Sequence, residues 1–229
     1  MDKVVPACIS AARKCKIDAV VSMRTTRIAV LLEDVHDRGN ENAIIRTMDA
    51  FGFQNLHVVS TMAPRETRSS RKIQRTDKGA RKWVTIHNWN CLDQCVAHLR
   101  SQGYMIATTH PGSGTGIQRV NFNDKLVLAF GNEQLGISQK LAQLSDFNFS
   151  IPMCGFVESL NVSVAVAVTL FQAFAQRMDR QHQQSSQGLT SDEKTHLAQE
   201  FYHQSLADLL GARVVLAPGQ PNELTLDWS

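Results

Sequence analysis

No apolar run in this chain approaches the roughly 20 residues that a membrane-spanning helix needs, so no membrane partner is expected. Cysteine is scarce and odd in number: Cys8, Cys15, Cys91, Cys95 and Cys154. Five thiols in 229 residues do not read as a disulfide framework. They point to a reducing compartment, hence the cytoplasm, with an organelle as the alternative address. Cys91 and Cys95 stand four apart with no second pair and no His at ligand spacing. A zinc site is therefore not expected, nor any other metal. Residues 1–21 lack the uninterrupted apolar stretch of a secretory signal, although they are mildly basic and helical in pattern. A Walker sequence, a nucleophile elbow and internal repeats are also missing.

What is present is ample core: 43% of residues are hydrophobic and 20% charged, enough for one fair-sized domain, or a domain plus an appendage. The net charge is only +3, but it is unevenly spread. Arg65, Arg68, Arg71, Lys72, Arg75, Lys78, Arg81 and Lys82 face only Glu66 and Asp77, and the run ends at Trp83. A solvated loop would look similar, yet this density of cations fits contact with a phosphate backbone better. A second acid-free patch, Arg13-Lys14-Cys15-Lys16, lies near the start of the chain.

Strand-like runs alternate with helical ones. The strands are 28–32, 56–60, 83–87, 104–109, 126–130 and 147–151; the helices are 42–51, 92–100, 138–144 and 160–177. That alternation predicts an α/β fold with a mostly parallel sheet flanked by helices. Uniformly apolar runs such as Leu126–Phe130 fit strands covered on both faces. A polar linker comes next at 181–188. Thr190 and Glu193 then stand at capping-box spacing before a helix with apolar Leu197, Phe201, Leu206 and Leu209.

Ligands of parallel sheets bind at the carboxyl ends of strands. Three such ends carry turn-forming residues: Thr109-His110-Pro111-Gly112, Gly131-Asn132-Glu133 and Ile151-Pro152-Met153-Cys154-Gly155. Gly112-Ser-Gly114-Thr-Gly116 is not a dinucleotide loop, because residues 117–123 have no helical period; a flexible loop is the better reading. Asn40 and Arg46 straddle a helix start, and Arg46 interrupts an apolar stretch; it either faces a pocket or pairs with Glu41 or Asp49. Glu133 suits a helix N-terminus, and Ser159 and Asn161 suit the N-cap of the long helix. Each of these residues alone has a structural explanation.

Jointly they resemble a known family. Asn40-Glu-Asn-Ala-Ile-Ile-Arg46, Gly131-Asn132-Glu133-Gln-Leu-Gly136-Ile137, and Ile151-Pro152-Met153 through Ser159-Leu160-Asn161-Val162-Ser163 are similar, in order and spacing, to the motifs of the SpoU/TrmH family of SPOUT RNA ribose methyltransferases. The resemblance spans roughly residues 28–178. It implies a deep trefoil knot in the C-terminal part of the sheet, a homodimer, and S-adenosyl-L-methionine as methyl donor. It implies donor contacts at Thr109, Gly131, Ile151, Met153 and Leu160, and a catalytic cluster of Asn40, Arg46, Glu133, Ser159 and Asn161.

The short flanks resemble the tRNA branch of the family, which methylates the ribose of the D-loop guanosine at tRNA position 18. The implied organisation is an N-terminal helical extension at 1–27, a methyltransferase domain at 28–180, and a linker with a C-terminal helical extension and tail at 181–229. RNA contact is expected from the cations of 65–82 and from Arg13 and Lys14. Two rivals keep the fold: a ribosomal RNA ribose methyltransferase, and an RNA-binding protein without activity. In the family Arg46 activates the 2′-hydroxyl. Either it loses a proton with help from an RNA phosphate, or it stays charged and stabilises the developing oxyanion.

Overall fold

A computed structural model describes residues 9–61, 78–112, 114–181, 188–210, 213–216 and 224–227. The chain forms two compact units, Thr25–Gln187 and the pair Met1–Arg24 with Gly188–Ser229.

The larger unit holds seven strands: β1 (Ile28–Glu33), β2 (Asn55–Val59), β3 (Thr85–Trp89), β4 (Met105–Thr109), β5 (Thr115–Gly116), β6 (Leu126–Phe130) and β7 (Phe147–Ser150). They pair in the order β3-β2-β1-β6-β4-β7-β5, every pair parallel. Helices α2 (Arg38–Phe51), α3 (Leu92–Ser101), α4 (Gln139–Leu144) and α5 (Val162–Gln181) cover the faces. The alternation of side chains along a strand sorts the core into two layers. Ile28, Val30 and Leu32 of β1, with Leu126, Leu128 and Phe130 of β6, pack under Ile44, Ile45 and Met48 of α2 and Val166 and Leu170 of α5. Ala29 and Leu31, with Val127 and Ala129, pack under Leu92, Val96 and Leu99 of α3 and Leu141 of α4. Each fully buried Leu or Ile contributes roughly 1.5–3 kcal/mol relative to exposure. The two central strands thus bury both faces, which explains their unbroken apolar sequence.

Several boundaries differ from those expected on sequence. The strand expected at 83–87 runs from Thr85 to Trp89, because Ala80–Lys82 form a 3-10 turn that ends at Trp83. Helix α2 begins at Arg38, four residues earlier than expected, capped by Asp37, whose Oδ1 accepts from the Gly39 N–H at 2.7 Å. Asn40 and Arg46 therefore both lie inside the helix. Thr115 and Gly116, expected in a flexible loop, pair with β7 as a short strand, and a 3-10 turn comes directly after.

Strand order reverses around β1, β6 and β4, so the segments leaving β1, β4, β6 and β7 gather at one edge of the sheet. That edge is where ligands of such sheets bind.

In the smaller unit, α1 (Ala11–Ser22) packs on α6 (Ser191–Leu210). Arg13 Nε donates to Ser205 Oγ at 3.3 Å, and Tyr202 donates its hydroxyl to Asp18. The capping box at Thr190 and Glu193 is formed: the Thr190 N–H donates to Glu193 Oε2 at 2.7 Å and the Glu193 N–H to Thr190 Oγ1 at 3.2 Å. Strands β8 (Arg213–Leu216) and β9 (Leu224–Asp227) form an antiparallel pair that the sequence pattern does not announce.

Candidate active site

A cavity of about 460 Å³ opens at the carboxyl edge of the sheet. That size falls within the range of small-molecule sites, roughly 300–1,000 Å³. Three segments build it: 109–111 after β4, 130–139 after β6, and 149–165 through the start of α5. Its surface mixes aliphatic side chains (Ile137, Ile151, Leu160) with main-chain groups of turns.

The 131–136 turn is closed tightly. Asn132 and Gly136 exchange both backbone hydrogen bonds at 2.9 Å. A Cβ at Gly131 would stand 2.1 Å from the Gly136 carbonyl, so no other residue fits there without moving the turn. Asn132 Oδ1 accepts from the N–H groups of Gln134 and Leu135 at 2.8 and 3.1 Å.

Thr109, Gly131, Ile151, Met153 and Leu160 all line the cavity, as do Glu133 and Ser159. Asn40 and Asn161 reach the same place through hydrogen bonds. Asn40 Nδ2 donates to Glu133 Oε1 at 3.0 Å, and Asn161 Nδ2 donates to Asn40 Oδ1 at 3.1 Å. The Asp37 N–H also donates to Glu133 Oε1, at 3.4 Å. Three segments far apart in sequence are thereby tied into one polar chain. Burial pushes the Glu133 carboxyl up, but the Asn40 amide and nearby backbone N–H groups outweigh it and hold the group below the usual carboxylate range.

Asn161 caps α5: its Oδ1 accepts from the Ser163 N–H at 2.9 Å and from the Ser163 hydroxyl at 2.6 Å. One amide side chain thus caps a helix with its oxygen and holds Asn40 with its nitrogen. Ser159 takes no part in the cap.

Arg46 is exposed on α2 and does not line the cavity. Glu41, a candidate partner for it, is paired with Arg81 at 2.6 Å instead. Of the cations expected to meet RNA, Lys78 is exposed, Arg81 carries that ion pair, Lys14 is exposed and Arg13 is held by Ser205. Arg65, Arg68, Arg71, Lys72 and Arg75 lie outside the described residues. Two residues that sequence reasoning missed, Glu33 and Ser138, are bonded to each other beside the cavity. Two acids at the end of an apolar strand, Glu33 and Asp34, are the signal that could have found them.

Residues 27–171 match the SpoU rRNA methylase family. The chain belongs to that family. Among SpoU relatives, the tRNA (guanosine(18)-2′-O)-methyltransferase of Thermus thermophilus is 34% identical over 200 residues, covering 87% of this chain and 96% of the relative. The Escherichia coli enzyme of the same name is 33% identical over 168 residues, covering 73% and 71%. A solved SpoU structure, the Aquifex aeolicus TrmH/SpoU tRNA modifying enzyme, superposes with a TM-score of 0.73 at 26% identity, covering 85% of this chain and 96% of its own. An S-adenosylmethionine-bound rRNA methyltransferase from Sinorhizobium meliloti superposes with a TM-score of 0.56 at 26% identity, covering 74% and 61%.

Proposed function

We propose that this protein transfers a methyl group from S-adenosyl-L-methionine to a ribose 2′-hydroxyl of tRNA, at the D-loop guanosine of position 18. The observation that carries the reading is the polar chain Asn161–Asn40–Glu133 beside a cavity of cofactor size. The relatives that bear this activity in their names are matched over most of the chain.

The donor fits the residues present. Thr109, Gly131, Ile151, Met153 and Leu160 would hold it, with apolar contact from the aliphatic side chains and main-chain contact from the turns. The low-lying Glu133 carboxylate at the cavity complements a cation. S-adenosylmethionine supplies an electrophilic methyl on a sulfonium. The chain's own task is to place a ribose oxygen in line with that methyl and to ease the loss of its proton. Asn40, fixed from both sides, orients the Glu133 carboxylate. Ser159, with no role in the helix cap, is available to the ribose or the donor. As a guanidinium, Arg46 offers five N–H donors and no acceptor, so it is a poor base. It therefore acts by stabilising negative charge on the attacking oxygen.

Arg46 does not line the cavity of its own subunit, which favours a homodimer. Val164, Val168 and Phe171 of α5 support the same conclusion: they are 46%, 39% and 56% exposed at helical spacing, an apolar stripe on the outer face. Phe171 lies 5.9 Å from Phe51 of α2, so the stripe continues toward that helix. We further propose a trefoil knot in the last part of the sheet. Strand β6 inserts between β1 and β4, and α5 packs against α2, which supports this reading. The cations of 65–82 would grip the tRNA backbone.

The direct test is transfer from labelled donor to purified tRNA and rRNA pools. Label confined to tRNA supports the reading; label in rRNA alone favours the ribosomal rival.

A further inference from the structure

Strand β1 ends at Glu33 and Asp34 follows it directly, two adjacent carboxylates that the chemistry above does not use. Glu33 is 4% exposed. A carboxylate so buried is costly unless hydrogen bonds compensate it. Its Oε2 accepts from the Ser138 N–H at 2.8 Å and its Oε1 from the Ser138 hydroxyl at 2.6 Å. The same hydroxyl accepts from the Leu141 N–H at 3.0 Å, capping α4. Asp34 has φ +51°, the left-handed region. Its carbonyl oxygen accepts from Asn132 Nδ2 at 2.8 Å. Its carboxylate accepts from the Thr61 N–H at 2.8 Å and the Thr61 hydroxyl at 2.6 Å, which holds the unusual backbone in place.

Two neighbouring residues therefore fasten both ends of segment 131–138: Asp34 at Asn132 and Glu33 at Ser138. Every residue of that segment lines the cavity. An apolar residue at the end of β1 would fill the space without desolvating a charge. What the carboxylate adds is a fixed position for the segment.

We propose that Glu33 is a positioning residue for the methyl donor: through Ser138 it holds segment 131–138 in the form that binds S-adenosylmethionine. This rests on the donor-pocket reading above. A loosened segment binds the donor less well, because ordering it is then charged to binding.

The test is calorimetric titration of the full-length protein with S-adenosylmethionine, beside methyl-transfer kinetics on tRNA. Glu33→Gln keeps the size but presents an amide N–H to one of the two Ser138 donors. Its donor Kd and donor KM should rise about tenfold, the loss of one hydrogen bond to a charged group. The kcat at saturating donor and the KM for tRNA should stay within about threefold of wild type. Ser138→Ala, which removes the hydroxyl bond to Glu33, should raise the donor Kd by a comparable factor, and Ser138→Thr should restore it. An unchanged donor Kd in Glu33→Gln, or a loss in kcat alone, overturns the proposal. Should Glu33→Gln fail to fold, an unchanged donor Kd in Ser138→Ala overturns it equally. A wild-type protein that binds no S-adenosylmethionine would overturn the pocket reading itself, and the proposal with it.

Discussion

Asn40 sits between Glu133 and Asn161, donating to the carboxylate at 3.0 Å and accepting from the amide at 3.1 Å. Removing its side chain breaks both contacts at once. Asn40→Ala should lower kcat about 100-fold, the scale expected when reacting groups lose alignment. The double variant Asn40→Ala/Asn161→Ala should be little worse than Asn40→Ala alone, because the two residues act as one unit. Steady-state kinetics on tRNA decides this; additive losses would show that they act independently.

Arg46→Ala should reduce turnover by roughly 100- to 1,000-fold, as for the loss of one oxyanion-stabilising group. Its affinity for S-adenosylmethionine should stay close to wild type, since its proposed role is toward the ribose oxygen and not the donor. Arg46→Lys should recover only part of the rate, because an ammonium lacks the planar fork. Near-normal methylation by the Ala variant would remove Arg46 from the mechanism.

The stripe on α5 predicts self-association. The wild-type protein should sediment as a dimer, and Phe171→Asp, which places a charge in the apolar face, should shift it toward monomer. The monomeric form should lose methyl transfer if Arg46 serves the partner's cavity. A wild-type monomer that is fully active would contradict the proposed assembly.

Acid stability should depend on His57. This side chain is 2% exposed and stacks on His87 with ring centroids 4.6 Å apart. Burial, and then the neighbouring His87 and His98 rings, lower its pKa to about 3. The geometry agrees: Trp89 Nε1 donates to His57 Nδ1 at 3.1 Å, which requires a lone pair there. In the unfolded chain the imidazole titrates near pH 6.5. Between that value and about 3 the unfolded chain holds a proton that the folded chain refuses. Stability therefore falls as pH drops through this window, by on the order of 3 kcal/mol at pH 4. Urea unfolding at pH 7 and pH 4 measures it, and His57→Phe should remove most of the difference. An unchanged pH dependence in that variant would contradict the assignment.

Much of this is legible in the chain. The apolar run Ile28–Leu32 and the run Leu126–Phe130 announce central strands, because burial on both faces leaves no polar alternation. The capping box at Thr190 and Glu193 is equally plain, since its signal is local. The start of α2 is harder to place: Asp37 caps it, yet Arg38, Gly39 and Asn40 carry no apolar period, so the pattern comes into view only further along. The gathering of Asn40, Glu133 and Asn161 can be suspected from motif order alone. Their hydrogen bonds cannot, because sequence gives no distance between strand ends. Glu33 is hidden for a related reason: its partner, Ser138, lies 105 residues away and looks like an ordinary helix cap.

The central claim is methyl transfer to a tRNA ribose, and nucleotide mapping of the product tests it most directly. Purified protein, unmodified tRNA transcript and labelled S-adenosylmethionine should give one modified residue, a 2′-O-methylguanosine at position 18 that resists alkaline cleavage at its 3′ side. Label on a base, on a different nucleotide, or on no tRNA at all would contradict the account.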